Sequence, residues 1–224
     1  MGNLIFPPKC IFCSEILEHD AEIEICRKCF SRIPFIKDRQ AFIKVFMQGT
    51  NPELTWFDGI FCLSEYKGII KDAIMRYKYF GKSAYYRTFA KLMAGMLKTE
   101  PETYNFDMTI AVPLYKKKEM IRGYNQAQLI SKELGKIMGI PDKSKLLVRL
   151  RNTGSQSLLR RDERYINVKD AFEVTDKKQV EGKTVLLVDD VLTTGHTLNE
   201  CSKMLKKAGT VNVYCAVIAA ASYI

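Results

Sequence analysis

The fold is decided by residues 185–197, which run Val-Leu-Leu-Val-Asp-Asp-Val-Leu-Thr-Thr-Gly-His-Thr. The apolar residues that open this stretch are typical of a buried strand, which we expect to run from Thr184 to Val188. Two carboxylates, Asp189 and Asp190, follow at once, and charged groups cannot remain buried without partners. They must meet water, a cation or hydroxyl groups, which predicts a polar site where the strand ends.

The residues after the carboxylates favour an anion site. Thr193, Thr194, Gly195, His196 and Thr197 lead into an expected helix, where backbone N–H groups lack intrahelical acceptors and the helix dipole favours negative charge. Gly195 lets the backbone approach a phosphate closely. Carboxylates suit ribose hydroxyls, directly or through magnesium, so the stretch predicts a site for a phosphorylated sugar. The alternative is a plain turn before a threonine-capped helix, with solvated aspartates.

Four of the seven cysteines form a C-x2-C-x12-C-x2-C pattern near the N-terminus: Cys10, Cys13, Cys26 and Cys29. This spacing favours a tetrahedral zinc site, and four sulfur ligands leave no open position for catalysis, so we expect a structural metal. Two disulfides are the alternative, but an intracellular chain would keep these thiols reduced. His19 could replace one sulfur, although we expect it to be exposed to solvent. Cys62, Cys201 and Cys215 have apolar neighbours and are expected in the core.

The composition excludes a disordered or membrane-spanning chain. The 224 residues are 47% hydrophobic and 27% charged, and no apolar run approaches the length of about 20 residues that a bilayer requires. Residues 1–9 lack the features of a secretory signal, so we expect a cytoplasmic protein without membrane insertion. The net charge of +10 would attract nucleic acid, acidic lipid or phosphorylated metabolites, or it is simply a solubilising surface.

Strand and helix patterns alternate along most of the chain, which predicts an α/β fold with a mainly parallel sheet flanked by helices. The expected helices cover 66–79, 84–98, 125–138 and 197–208, and the expected strands 59–63, 108–112, 146–150, 184–188 and 211–219. Ligands of such sheets bind beyond the carboxyl ends of the strands. After the second of these strands a basic loop with Lys116, Lys117, Lys118 and Arg122 could neutralise a pyrophosphate, unless it is a solvated lysine run.

The 185–197 stretch resembles the signature of type I phosphoribosyltransferases. The chain also resembles the ComF family over nearly its whole length. This resemblance rests on the four cysteines, Val112-Pro-Leu114, Arg122-Gly-Tyr-Asn-Gln-Ala127, the Arg149 to Gln156 motif and Arg164 to Asn167. That resemblance implies a type I phosphoribosyltransferase-like domain over 51–224, behind a zinc-finger segment and linker over 1–50. It also implies a role in DNA uptake during natural transformation.

The resemblance implies a ligand, phosphoribosyl pyrophosphate with magnesium, and a set of site residues. The binding residues would be Leu114, Tyr115, Lys116, Arg122, Asp189, Asp190, Val191, Leu192, Thr193, Thr194, Gly195, His196 and Thr197. Asp189 and Asp190 would also be catalytic, together with Arg160 and Arg161 of a mobile lid over 151–164. The lid arginines could instead follow a nucleic-acid backbone, and one surface could serve both uses.

Two hypotheses of function follow. The first is a ComF-type protein that binds phosphoribosyl pyrophosphate and contacts single-stranded DNA, through a surface with Tyr77, Tyr79, Phe80, Tyr85 and Tyr86, and that meets other competence proteins. Tyr77 is better explained by core packing. The second is a housekeeping phosphoribosyltransferase that acts on an unidentified base or amine, without a role in DNA. No segment specifies a nucleobase.

Overall fold

The architecture is a twisted parallel sheet with helices on both faces. A computed structural model describes residues 7–38, 41–43, 46, 55–100, 104–151 and 169–221. The strands are β1 (Gly59–Glu65), β2 (Met108–Ala111), β3 (Leu147–Arg149), β4 (Phe172–Val174), β5 (Thr184–Leu192) and β6 (Asn212–Ala220). The helices are α1 (Arg27–Phe30), α2 (Gly68–Tyr79), α3 (Tyr85–Lys98), α4 (Lys116–Arg122), α5 (Gln126–Met138) and α6 (His196–Lys207).

The main sheet has the order β1-β6-β5-β2, and its pairs are parallel. In β5, Leu186 and Val188 pack into a core under α2, α3 and α5, whereas Val185 and Leu187 pack into a second core under α6. Alternate residues of a strand point to opposite faces, so a strand covered on both sides must be apolar throughout. The predicted parallel sheet flanked by helices is confirmed.

The strand expected over 146–150 does not join this sheet, so that part of the prediction was wrong. β3 pairs antiparallel with β4 in a separate two-stranded sheet. The outer edge of β2 is already used, because Thr109 N donates to Pro141 O at 3.0 Å and Lys143 N donates to Thr109 O at 2.8 Å. The strand after residue 143 therefore cannot pair with this edge of β2, and it pairs with β4 instead.

The basic segment after β2 is a helix, not the loop that the sequence suggested. Residues 116–122 form α4, which suits their run of lysine, glutamate, methionine and arginine. Gly123 ends the helix in the left-handed conformation, with φ at 85°. The helix has no buried residue, so it lacks the apolar stripe that would have revealed it.

The N-terminal segment packs onto the rest of the chain. Ile11, Phe12, Ile25 and Ile33 belong to the same core as residues of α2 and α3. Just beyond them, Glu65 N donates to Pro34 O at 2.9 Å, which places this segment along the outer edge of β1. The domain boundary predicted at residue 50 lies outside the described residues and stays a prediction.

Candidate functional site

The two carboxylates lie inside β5 rather than beyond it. The sequence suggested a strand that ends at Val188, but β5 continues to Leu192, with Asp189 paired in register with Val217 and Val191 with Ala219. Consecutive strand residues point to opposite faces. The side chains of Asp189 and Asp190 therefore point to opposite faces of the sheet, near its carboxyl edge.

Asp190 is held by a buried ion pair. Its residue is 3% exposed, and its Oδ1 lies 2.8 Å from Nζ of Lys78, at the end of α2. Its second oxygen, Oδ2, is buried and has no hydrogen-bond partner within the described part of the chain. Burial would lower the pKa of Lys78, but Asp190 and Asp189 outweigh it and raise that pKa, which keeps the ammonium charged. The ion pair therefore leaves one carboxylate oxygen unsatisfied.

Asp189 faces the other side of the sheet, and its pKa is raised to about 7. Desolvation by burial is the main cause, and the neighbouring Asp190 carboxylate adds to it. Lys78, Arg149 and the N–H of Asp190, which donates to Asp189 Oδ1 at 2.8 Å, act in the opposite direction. The carboxyl group therefore changes charge near neutral pH.

The loop between β5 and α6 has the geometry of an anion cradle. Gly195 caps α6 with φ at 77°, and a Cβ added there would lie 2.7 Å from Cζ of Phe46. A small cavity of about 40 Å³ opens over this loop, lined by Asp189, Val191, Leu192, Thr193, Gly195, Thr197 and Leu198. Of the predicted binding residues of this stretch, Thr194 and His196 are half-buried beside that cavity rather than in its lining.

A second, larger cavity of about 360 Å³ lies beside Lys78. Its lining is basic and aromatic, and consists of Lys78, Tyr79, Gly81, Lys118, Ile121, Arg122 and Tyr124. Arg122 stacks over the Tyr79 ring at 5.3 Å and donates to Gln126 Oε1. Among the residues that the structure describes, this lining contains no acidic side chain. The cavity therefore suits an anionic or planar ligand.

Lys118 links this cavity to the sheet edge. Burial lowers its pKa, and the charges of Arg149 and Arg122 lower it further, so the cations lie close enough to repel one another. Arg149, at the end of β3, is half-buried, and Asp189 is near enough to act on its pKa. Such cations gain most from an anion placed among them. Of the other predicted residues, Leu114 and Tyr115 are half-buried, whereas Lys116 is exposed.

The sequence did not predict Lys78 as part of the site, and Arg149 was noted only as part of a motif. Lys78 stands one helical repeat after the buried Ile74, so its position at the edge of the buried face of α2 was a usable signal. Arg149 ends a strand, where α/β proteins place ligand contacts. Arg160, Arg161 and the rest of the expected lid after Arg151 lie outside the described residues.

The four N-terminal cysteines form one cluster. Their sulfur atoms all lie within 4.8 Å of one another, as tetrahedral zinc requires, and His19 is exposed and outside this group. Burial opposes ionisation of Cys10, yet amide donors from Cys26, Cys13 and Phe12 lower its pKa to about 7. Cys62, Cys201 and Cys215 are buried, as predicted.

Comparison with known proteins supports the two-part organisation. Residues 123–222 match the phosphoribosyl transferase domain, and residues 1–40 match the double zinc ribbon domain. With the clustered sulfurs, the second match supports a structural zinc at Cys10, Cys13, Cys26 and Cys29. Within the described residues, helices long and apolar enough to cross a membrane are absent.

Individual relatives point the same way. Competence protein F of Haemophilus influenzae is 31% identical over 216 residues, which cover 92% of this chain and 93% of the relative. DNA utilization protein YhgH of Escherichia coli O157:H7 is 35% identical over 49% of this chain and 48% of its own length. Competence protein ComFC of Bacillus subtilis is 28% identical over 64% of this chain and 56% of its own length. The chain therefore belongs to the competence protein F (ComF) family, with a phosphoribosyltransferase-type domain behind a zinc ribbon.

Proposed function

We propose that this protein binds phosphoribosyl pyrophosphate with magnesium at the carboxyl edge of the sheet and uses that site in DNA uptake. The observation that carries the proposal is the convergence of three features at one edge. The acidic pair Asp189 and Asp190 lies beside the loop at Gly195, and Arg149, which is close to Lys118, lies near Asp189. A sugar that carries a phosphate and a pyrophosphate has a group for each feature.

Different residues bind different groups of the ligand. Amide groups of the loop and the α6 N-terminus hold the 5-phosphate, as helix N-termini do for anions. Asp189 and the free oxygen of Asp190 accept the ribose hydroxyls or bind the magnesium. Magnesium would neutralise the pyrophosphate and orient it. Lys118, Arg122 and Arg149 stabilise the negative charge of the pyrophosphate, and the predicted lid residues Arg160 and Arg161 would add to it.

Calorimetric titration with phosphoribosyl pyrophosphate and magnesium tests the site. Asp189→Asn and Asp190→Asn together should abolish binding, because both carboxylates of the acidic pair are lost. Asp176→Asn is the matched control, since among the described residues that half-buried acid accepts hydrogen bonds from its own turn. If the double variant binds as tightly as the wild type, the site assignment is wrong.

Whether the bound ligand reacts is a separate part of the proposal. Release of pyrophosphate in the presence of a panel of bases and amines, with and without single-stranded DNA, would identify an acceptor. Release that depends on a free base and ignores DNA would favour the housekeeping alternative. Stimulation by DNA would support the competence role, in which other competence proteins are further expected partners.

For the DNA contact, the favouring observation is an exposed apolar and aromatic patch beside the basic cavity. Tyr79 is 62% exposed, Phe80 68%, Met120 82% and Ile121 79%. Bases stack on such rings while nearby cations hold the backbone, a combination that tolerates any sequence. Tyr77 does not contribute, because it is fully buried.

Binding of single-stranded DNA over a salt series tests this surface. Lys116→Gln and Lys117→Gln should weaken binding and flatten the salt dependence, because two cations of α4 beside the patch are removed. Lys132→Gln and Lys136→Gln remove the same charge from exposed positions of α5 and serve as the control. Equal effects of both pairs would mean that only the net charge matters.

A further inference from the structure

The last turn of α2 connects the zinc ribbon with the acidic pair. Arg76 Nη2 donates to Ile11 O at 3.0 Å and to Phe12 O at 3.1 Å, and both carbonyls lie between the ligands Cys10 and Cys13. Two residues later, Lys78 Nζ lies 2.8 Å from Asp190 Oδ1. Each helical residue turns the direction by about 100°, so these two side chains leave the helix on nearly opposite sides.

The turn between these contacts is rigid. Tyr77 is fully buried, and its hydroxyl donates to Gln126 O at 2.8 Å. The hydroxyl of Tyr124 donates in turn to Tyr77 O, and the two rings pack with centroids 5.7 Å apart. A turn fixed by its core side chain keeps Arg76 and Lys78 in a constant position relative to each other.

The position of the Lys78 ammonium group determines whether the Asp190 carboxylate can bind a ligand. The Asp190 side chain is 4% exposed, so as a carboxylate it depends on the ammonium group for compensation. Because Lys78 holds Oδ1, the position of its ammonium group also fixes where the second carboxylate oxygen lies. Correct placement of Lys78 is therefore a requirement for correct placement of the Asp190 carboxylate.

We propose that the zinc ribbon positions Lys78 against Asp190 through Arg76 and the last turn of α2, and thereby sets the affinity of the acidic pair for its ligand. Arg76 and Lys78 are positioning residues in this scheme, and the metal of the ribbon acts on a distant site. The inference rests on the proposed binding of phosphoribosyl pyrophosphate, and deepens it with a means of regulation.

A matched pair of variants tests the route. Arg76→Gln should retain its zinc but bind phosphoribosyl pyrophosphate about tenfold more weakly, within the usual range of coupling between sites. Lys91→Gln is the control, because Lys91 also donates to a ribbon carbonyl, that of Glu22, but does so from α3. Its affinity should equal that of the wild type. Zinc content, melting temperature and calorimetric affinity are measured for each protein.

The possible results separate the two proposals. If Arg76→Gln binds phosphoribosyl pyrophosphate as tightly as the wild type does, the proposed binding site still stands, but the proposed coupling is wrong. Equal losses in both variants also overturn it, since ribbon docking in general would then be responsible. Absence of binding in the wild type itself would remove the proposed function, whatever the variants do.

A second measurement needs no variant of Arg76. Coupling of equilibrium affinities is reciprocal, so saturating phosphoribosyl pyrophosphate with excess magnesium should raise the affinity for zinc, measured at equilibrium against a chromophoric chelator. The Asp189→Asn and Asp190→Asn double variant should show no such rise, which controls for chelation of zinc by the ligand itself. An unchanged zinc affinity in the wild type at saturating ligand would overturn the inference.

Discussion

At the scale of the residue, Asp189 lies at the carboxyl edge of the sheet and has a pKa near neutral pH. Its pKa is raised to about 7 by burial and by the charge of Asp190. Binding of magnesium or ribose hydroxyls requires the carboxylate form. A raised pKa in a ligand-binding acid means that binding is fully present above that pKa and is lost as the pH falls below it.

We therefore predict that the affinity for phosphoribosyl pyrophosphate and magnesium falls about tenfold for each pH unit below 7, since protonation of one group competes with binding. Carbon NMR of labelled aspartate measures the same event directly. The resonance missing in Asp189→Asn should titrate near pH 7 in the free protein and shift to lower pH with ligand. A midpoint below about pH 5 would show that Asp189 is charged throughout the physiological range.

Gly195 is constrained by its backbone and by its surroundings together. Its φ is 77°, and Phe46 would lie 2.7 Å from an added Cβ. Gly195→Ala should cost about 2 kcal/mol or more in unfolding free energy, as urea denaturation would measure. Gly139→Ala separates the two causes, because that glycine has φ at 74° with open space around it. Similar costs for both would show that Phe46 moves aside easily.

At the scale of the element, a buried hydroxyl joins α2 to α5. Tyr77 donates to the carbonyl of Gln126, at the start of α5, in a region closed to solvent. Tyr77→Phe should lower the unfolding free energy by about 1–2 kcal/mol, because the buried carbonyl loses its partner. Tyr79→Phe removes an exposed hydroxyl of the same helix and should change little. Equal stability of both variants would mean that water replaces the lost bond.

Elements with a local signal were predicted well from the sequence. β5 and β6 are runs of buried apolar residues, and α5 has an apolar face and ends at a glycine, with φ at 74°. β3 was misplaced because its pairing depends on residues 141–143, which occupy the edge of β2. α4 was missed because none of its residues is buried.

The residues of the site also differ in how far the local sequence predicts them. The acidic pair and the loop at Gly195 belong to one continuous stretch, so their neighbourhood could be predicted from spacing. Lys78 reaches Asp190 from a helix far away in the chain, and no local pattern encodes that contact. Arg149 comes from the small second sheet, whose docking depends on tertiary packing. Long-range contacts of this kind were beyond pattern reasoning.

At the scale of the whole molecule, the ribbon and the phosphoribosyltransferase-type part share a core. Cys10, Ile11 and Cys29 belong to the cluster that contains Ile74 and Phe89. Changing Cys10 and Cys13 to Ser should therefore remove zinc and lower the melting temperature of the entire chain in a single transition. Elemental analysis and calorimetry measure the two effects. A separate low-temperature transition, with the main one unchanged, would show that the ribbon unfolds on its own.

The edges of the main sheet have a consequence for association. On one side Phe35 bridges Ser64 of β1, and on the other Asp142 bridges Thr109 of β2. Both outer strands are thus partly covered by segments of the same chain, which discourages strand-by-strand joining of copies. A shortened protein that starts after the ribbon would expose the outer edge of β1 together with the part of the core that Ile11, Phe12, Ile25 and Ile33 cover. Aggregation of such a fragment would reflect this missing cover and would say nothing about its ligand.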